Sequence, residues 1–330
     1  EGTGITVDGV ISGGNQDAAT DNKLNVRGTA SAKTVEKFDI ITFALNAVKA
    51  GGDAMLTLND RNDTASAVTT TTLDCSKLKI ENGTGGTAST YESTWTLMRA
   101  VGNDKLDFGT TYDQAKEYGA ADGDYELTVD KNNANTEITA TGYRFRNNTE
   151  AAYTDADNTH TLVWGGRSEK GNTVENNTLT VSGGFITNAG SAAVHGGLAN
   201  STTADSLARN NTLKLSGGTI DQAFGGTAKT AAGRAIGNRV LMDEGSTASV
   251  KVVTGGYGAT AADNTVEIKA GTISGADFNN QHVAVLGGHS ETDNGTASQN
   301  YVSVSGGTVS GGVIGGAAKN GTAEKNTVTV

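Results

Sequence analysis

The 330-residue chain has no proline, where ordinary usage would place on the order of fifteen. Proline cannot donate a backbone N–H, and a strand paired on both edges needs every one. A proline-free chain therefore suits a sheet that is hydrogen-bonded on both sides nearly everywhere. Disordered Gly/Ser-rich segments usually carry proline and lack periodic Val and Ile. There is one cysteine, Cys75, so no intrachain disulfide can form; it reads as a small structural residue rather than a reactive thiol. Aromatics make up only 5% of the chain, with two tryptophans, Trp95 and Trp164, which is little material for a sugar cleft. Basic residues are outnumbered, 25 Lys and Arg against 36 Asp and Glu, and the net charge is −11. No Lys/Arg cluster stands out, which argues against nucleic acid and anionic membrane as partners. No signal peptide, apolar spanning run or lipidation motif is present.

What the chain does contain is a repeat. Asn177-Thr-Leu-Thr-Val-Ser-Gly-Gly-Phe-Ile186, Asn211-Thr-Leu-Lys-Leu-Ser-Gly-Gly-Thr-Ile220, Asn264-Thr-Val-Glu-Ile-Lys-Ala-Gly-Thr-Ile273 and Asn300-Tyr-Val-Ser-Val-Ser-Gly-Gly-Thr-Val309 follow one pattern, with a degenerate copy from Asn238 and a shortened one from Asn326. The spacing is about 26–27 residues, with two longer steps that loop insertions on one face would produce. A second short element follows each strand and ends in a glycine pair, as in Ala-Val-His-Gly-Gly197, Gln-Ala-Phe-Gly-Gly226 and Ala-Val-Leu-Gly-Gly288. Two or three short strands per repeat, separated by glycine turns, predict an all-β fold built as a parallel β-helix, a β-solenoid of roughly ten to twelve coils. Period-two alternation then sets the faces. Leu179, Leu213, Val240, Val266, Val302 and Val328 form one inward column; Val181, Leu215, Met242, Ile268, Val304 and Val330 a second; Ile186, Ile220, Ile273 and Val309 a third.

Asn177, Asn211, Asn238, Asn264, Asn300 and Asn326 occupy one repeat position. Stacked asparagines can hydrogen-bond along the axis, and Asn tolerates the left-handed backbone of a corner, so the column is read as structural. The glycines are expected to supply positive φ at corners. In the second strand, Val163, Val194, Ala223, Val253, Val285 and Val313 should point inward. The residues after them, Trp164, His195, Phe224, Thr254, Leu286 and Ile314, then form an outward, partly apolar stripe. Exposed apolar patches mark interaction sites, which makes this the candidate partner-binding surface. The structural alternative is a stripe covered by a loop or turned toward the core.

Residues 35–157 lose the repeat and form an irregular β-rich middle stretch, either continuous with the solenoid or packed on its flank, between coils at 1–34 and regular repeats at 158–330. Phe38 to Leu45, Met55 to Leu58, Trp95 to Met98, Tyr125 to Val129 and Glu137 to Phe145 alternate as strands do. Lys131 to Thr136 reads as a hairpin turn, and Tyr112 to Tyr118, closed by Gly119, as a short helix. The first and last residues would join as one more coil, so the chain reads as cut from a longer solenoid or as a unit that stacks end to end.

The Asn-Thr-Val-Thr-Val-Ser-Gly-Gly-Thr-Val pattern with Val-Ile-Gly-Gly behind it resembles passenger domains of Gram-negative autotransporters, over roughly 1–30 and 158–330. The middle stretch, from Phe38-Asp-Ile-Ile-Thr-Phe43 through Gly51-Gly-Asp-Ala-Met-Leu-Thr-Leu58 and Thr96-Leu-Met-Arg-Ala100 to Tyr143-Arg-Phe145, is similar to a segment that recurs in large passengers. The resemblance implies a right-handed β-helix, display on the bacterial outer surface and an adhesin's role. It also implies membrane contact only through a translocator barrel outside this sequence, since no such barrel is present in it.

The chain carries little that points to chemistry. Asp221, Asp243, Asp263 and Asp293 hold non-equivalent positions, mostly in turns, where Asp is common, and do not pair as a glycosidase needs. No Gly-x-Ser-x-Gly motif occurs, and the Ca²⁺-binding nonapeptide breaks off after Gly255-Gly-Tyr-Gly258. Of His160, His195, His282 and His289, His195 precedes a glycine pair and His289 follows one, so these two are not register mates, and metal ligation is not expected. The Asn-x-Thr triplets at Asn82 and Asn320 are expected by chance. The expectation is thus a non-catalytic extracellular adhesin or self-association module without cofactor or metal. Its partner would be a host surface or matrix molecule, or another copy of itself. A structural spacer or filament segment is the alternative, and a polysaccharide-degrading enzyme the least favoured reading.

Overall fold

A computed structural model of the chain describes residues 4–14, 21–45, 51–59, 70–72, 78–81, 90–102, 104–107, 116–118, 124–149, 151–154, 160–188, 192–201, 205–278 and 281–330. Cys75 and the triplet at Asn82 lie outside the described residues. Among those described, the fold is all-β, with no α-helix. Two compact units form: residues 1–87 with 92–142, and residues 143–330 with 88–91.

The first unit begins as parallel ladders. Ile5–Thr6, Ala30–Ala32, Leu56–Leu58 and Ser93–Ala100 pair in order, with Ile5 beside Ala30, Ala30 beside Leu56 and Leu56 beside Met98. Lys23–Val26, Ile40–Ala44 and Leu78–Glu81 make a second parallel ladder. The pairing then turns antiparallel, as Ser93–Ala100 meets Glu137–Arg144. The turn expected at Lys131 to Thr136 is present: Asn132 Oδ1 accepts the Thr136 N–H at 2.8 Å, and Asn135 takes φ 55°. The expected helix is corrected where it is described. Lys116–Tyr118 is a strand, antiparallel to Tyr125–Lys131. One helical turn is costly to nucleate, whereas an adjacent strand offers ladder partners at once. The alternating apolar positions, among them Phe43, Leu56, Leu58, Trp95, Leu97, Leu127, Val129 and Ile138, meet in one core.

The second unit stacks the repeats in parallel register. Leu179 pairs with Leu213, Leu213 with Val240, Val240 with Val266, Val266 with Val302 and Val302 with Val328, as the first aliphatic column requires. The third column gains a member absent from the pattern, Val250, which stands between Ile220 and Ile273. A further ladder of short strands, Val174–Glu175, Leu207–Arg209, Arg234–Ile236, Thr260–Ala262, Thr296–Ser298 and Thr322–Glu324, precedes the asparagines. Its middle alanines, Ala208, Ala235, Ala261 and Ala297, are fully buried.

The asparagine column ties these layers together. Asn238 Nδ2 donates to Asn264 Oδ1 at 3.0 Å and to the Ala208 carbonyl at 3.0 Å, while its backbone N–H reaches the same Asn264 Oδ1 at 3.0 Å. The same three bonds recur at Asn177, Asn211, Asn264 and Asn300. Asn148 extends the column by one, its backbone N–H bonded to Asn177 Oδ1. The left-handed corner residue is not the column asparagine but the one before it: Asn176, Asn210, Gly237, Asp263, Gln299 and Lys325 all have φ between 53° and 66°. The column side chain thereby turns inward, where its amide is fully used.

The glycines divide into two kinds. In the Ser-Gly-Gly corner the second glycine has positive φ, as expected, at Gly184, Gly218 and Gly307. The pairs that end the second strand do not, and they correct the expectation. A Cβ on Gly225 would sit within 3 Å of the Gly255 carbonyl, and one on Gly226 within 3 Å of the Asn238 amide. Close approach of backbone to backbone and backbone to ladder is what excludes a side chain there.

Candidate functional site

The second strands, Leu162–Ser168, Ala193–Ala199, the latter half of Thr212–Ala228, Ser249–Tyr257, Gln281–Ser290 and Gly312–Ala318, pair side by side. Trp164, His195, Phe224, Thr254, Leu286 and Ile314 are register mates across all six. Both glycines of each pair face the interior: the first meets a neighbouring glycine carbonyl at Gly165, Gly196, Gly225, Gly255 and Gly287, and the second meets an asparagine amide. Alternation therefore slips by one residue, as at a β-bulge. The slip puts a second row, Arg167, Leu198, Thr227, Tyr257, His289 and Ala317, on the same outer side as the stripe. Two rows of side chains separated by a strip without side chains make a trough.

The trough changes what the stripe is. Trp164, His195, Thr254 and Leu286 are 2–4% exposed, and Phe224 and Ile314 are half-buried, so the expected open stripe is corrected to a mostly enclosed one. The second row folds over it. Arg167 lies 4.4 Å over the Trp164 ring and Tyr143 meets that ring edge-on, so Trp164 is enclosed at one end. His195 stacks on Phe224 at 5.0 Å, Phe224 meets Tyr257 edge-on at 5.9 Å, and Tyr257 meets His289 at 5.4 Å. This aromatic string crosses four repeats and steps once from the first row to the second.

Three overlapping hollows follow the string. One of about 650 Å³ lies over His195, Phe224, Thr227 and Lys229. The middle one, about 310 Å³, is floored by Val252, Val283 and Leu286. The third, about 500 Å³, reaches Ile314 and Lys319. Phe224, Tyr257 and Glu291 are shared by the first two, and Leu286, His289 and Glu291 by the last two, so the groove is continuous. The excursion in the long step between Asn264 and Asn300 flanks it, as Ala276–Phe278 folds back antiparallel on Gln281–Ser290.

Burial and neighbours set the protonation states. Burial, with Lys229 and Arg167 nearby, holds the His195 imidazole down at about 3, so it is neutral; its Nδ1 lies 2.9 Å from Thr227 Oγ1. Burial, then the hydrogen bond to Glu291 Oε2 at 2.6 Å, pushes the Tyr257 phenol up, so its hydroxyl stays protonated as a donor. Burial lowers His289 by more than Glu291 raises it. On the flanking excursion, the hydrogen bond to Asp277 at 2.9 Å and then the Ser274 carbonyl raise His282.

Of the carboxylates considered for hydrolysis, Asp221 is not in a turn: it is buried inside a strand, paired with Lys251 and accepting the Asn188 N–H at 2.8 Å. His195 and His289 fall in different rows, and among the described residues no group of three or more His, Cys, Asp or Glu is placed to hold a metal ion. Sequence reasoning missed the second row, although its signal was present as the residue following each glycine pair. It also missed Glu291 and Asp277, which stand in the irregular parts of a long step. Comparison with protein-family models, curated proteins and solved structures finds no match.

Proposed function

We propose that the second unit is a right-handed parallel β-helix of the autotransporter-passenger type, and that the chain acts at the bacterial cell surface as a non-catalytic binding module, an adhesin or self-association domain. The observation that carries the binding role is the trough itself. An open groove floored by apolar and aromatic side chains, with a few polar groups at its walls, is the general form of a ligand site. The parallel register of six stacked strands and the asparagine ladder support the helix.

A spacer role is favoured by one observation, the unbroken ladder, which would stiffen the stack. The two roles separate in one assay. The purified chain should adhere to a surface coated with epithelial extracellular matrix, or self-associate in sedimentation. Phe224→Ser with Ile314→Ser, both half-buried groove residues, should cut that signal about tenfold while the melting temperature stays within a few degrees. A folded double variant that adheres and sediments like the parent leaves the spacer as the better account.

A further inference from the structure

The aromatic string has a consequence for what the groove can take. His195 stacks on Phe224, and Tyr257, from the strand on Phe224's other side, meets that ring at 73°, so one face of the Phe224 ring is closed to flat stacking of a sugar. The middle hollow offers instead an aliphatic floor of Val252, Val283 and Leu286, with two carboxylates at its walls, Glu291 and Asp277, the latter already bonded to His282 Nδ1 at 2.9 Å. Among the described residues that line it there is no Lys or Arg; Lys229 and Lys319 line the neighbouring hollows. Glu291 Oε1 stands 4.0 Å from His289 Nε2, beyond hydrogen-bond length, while Oε2 takes the Tyr257 hydroxyl.

We propose that the middle hollow binds a basic side chain, Arg or Lys, presented on an extended segment of a partner protein, with its methylene stem on the Val252–Val283–Leu286 floor and its cationic head at Glu291 and Asp277. Charge complementarity carries this choice. Long basic side chains lay apolar stems on apolar surface and keep the charge at a polar rim. A net charge of −11 draws cationic segments toward the chain, and the local carboxylates select where they seat. The groove spans five inter-strand steps, about 24 Å, which an extended segment of about seven residues would cover.

This inference rests on the groove being the binding face, and its test is kept separate from that reading. Fluorescence anisotropy would follow a labelled hexapeptide alternating leucine and arginine, against one alternating leucine and glutamate. The arginine peptide should bind and the glutamate peptide should not. Glu291→Gln should weaken the arginine peptide about tenfold, the size expected for losing a charged hydrogen bond. Asp277→Asn should weaken it in the same direction. Glu324→Gln, in the strand Thr322–Glu324 and away from the groove, makes the same change in net charge and should leave affinity within twofold. No binding of the arginine peptide, equal binding of the two peptides, an unchanged affinity in Glu291→Gln, or an equal loss in Glu324→Gln each overturns the proposal. If Phe224→Ser with Ile314→Ser still abolishes matrix adhesion, the groove stands and only the basic ligand falls.

Discussion

A buried asparagine amide has two donors and an acceptor with two lone pairs, and in Asn211, Asn238, Asn264 and Asn300 all four are used. Asn264 Oδ1 takes both the N–H and the Nδ2 of Asn238, and its own Nδ2 bonds Asn300 and the Ala235 carbonyl. Asn264→Ala removes the acceptor from two buried donors and the donor from two acceptors. At about 1–3 kcal/mol for a buried group left unsatisfied, the predicted loss is about 3–5 kcal/mol, read from urea unfolding. A loss below about 1 kcal/mol would mean the ladder is not closed as described. The column was legible because the same residue recurs at one place in each repeat. Asn148 was not: three residues separate it from Ala151, the register mate of Leu179, where two separate Asn177 from Leu179, so the strand pattern is offset by one. His195 gives a second test at this scale. Its folded value, about 3, lies below the ordinary 6.5. Above 6.5 neither state binds the proton; as pH falls toward 3, the unfolded chain binds it and the native one does not, so stability drops in that window. Between pH 7 and pH 4.5 the parent should lose about 2 kcal/mol more than His195→Gln. Equal losses would place a protonated imidazole in the groove.

At the scale of the element, the glycine pair decides the shape of the site. Its first member lies against a carbonyl of the next repeat and its second against an asparagine amide, so neither has room for a methyl group. Gly226→Ala should therefore destabilise by about 1–3 kcal/mol, as overpacking against fixed neighbours does. Gly183→Ala is the matched control: its φ is not in the left-handed region, its nearest neighbour would be 4.0 Å away, and the change should fall within about 0.5 kcal/mol. Thermal melts of both would settle the contrast, and equal effects would contradict the close approach. Sequence alternation located the inward valines and the row beside them. It did not reveal that the glycine pair resets the alternation, because period two carries no information about where a strand bends. The second row, Tyr257 and His289 included, was hidden for that reason, and with it the burial of Trp164, His195 and Leu286. The short alanine-centred strands were overlooked because a single buried alanine has little hydrophobic signal, although its carbonyl anchors the ladder.

At the scale of the whole molecule, one arrangement in the second unit accounts for the recurrent asparagines and the groove: repeats stacked in parallel, each supplying one layer of core and one rung of ladder. In the first unit the same logic was partly legible, since the alternating segments became strands, but the change from parallel to antiparallel pairing at Ser93–Ala100 was not. Alternation looks the same in either direction. The most direct test of the account asks whether the two rows of the trough have the register on which the site depends. In a Cys75→Ser background, Tyr257→Cys with His289→Cys places thiols on register mates of adjacent strands, about 4.8 Å apart and within disulfide range. Thr254→Cys with His289→Cys displaces one thiol by three residues, roughly 10 Å along the strand. The first pair should oxidise to a disulfide while the second stays reduced. Failure of the first pair to close, or equal closure of both, would contradict the stacked register and the groove built on it.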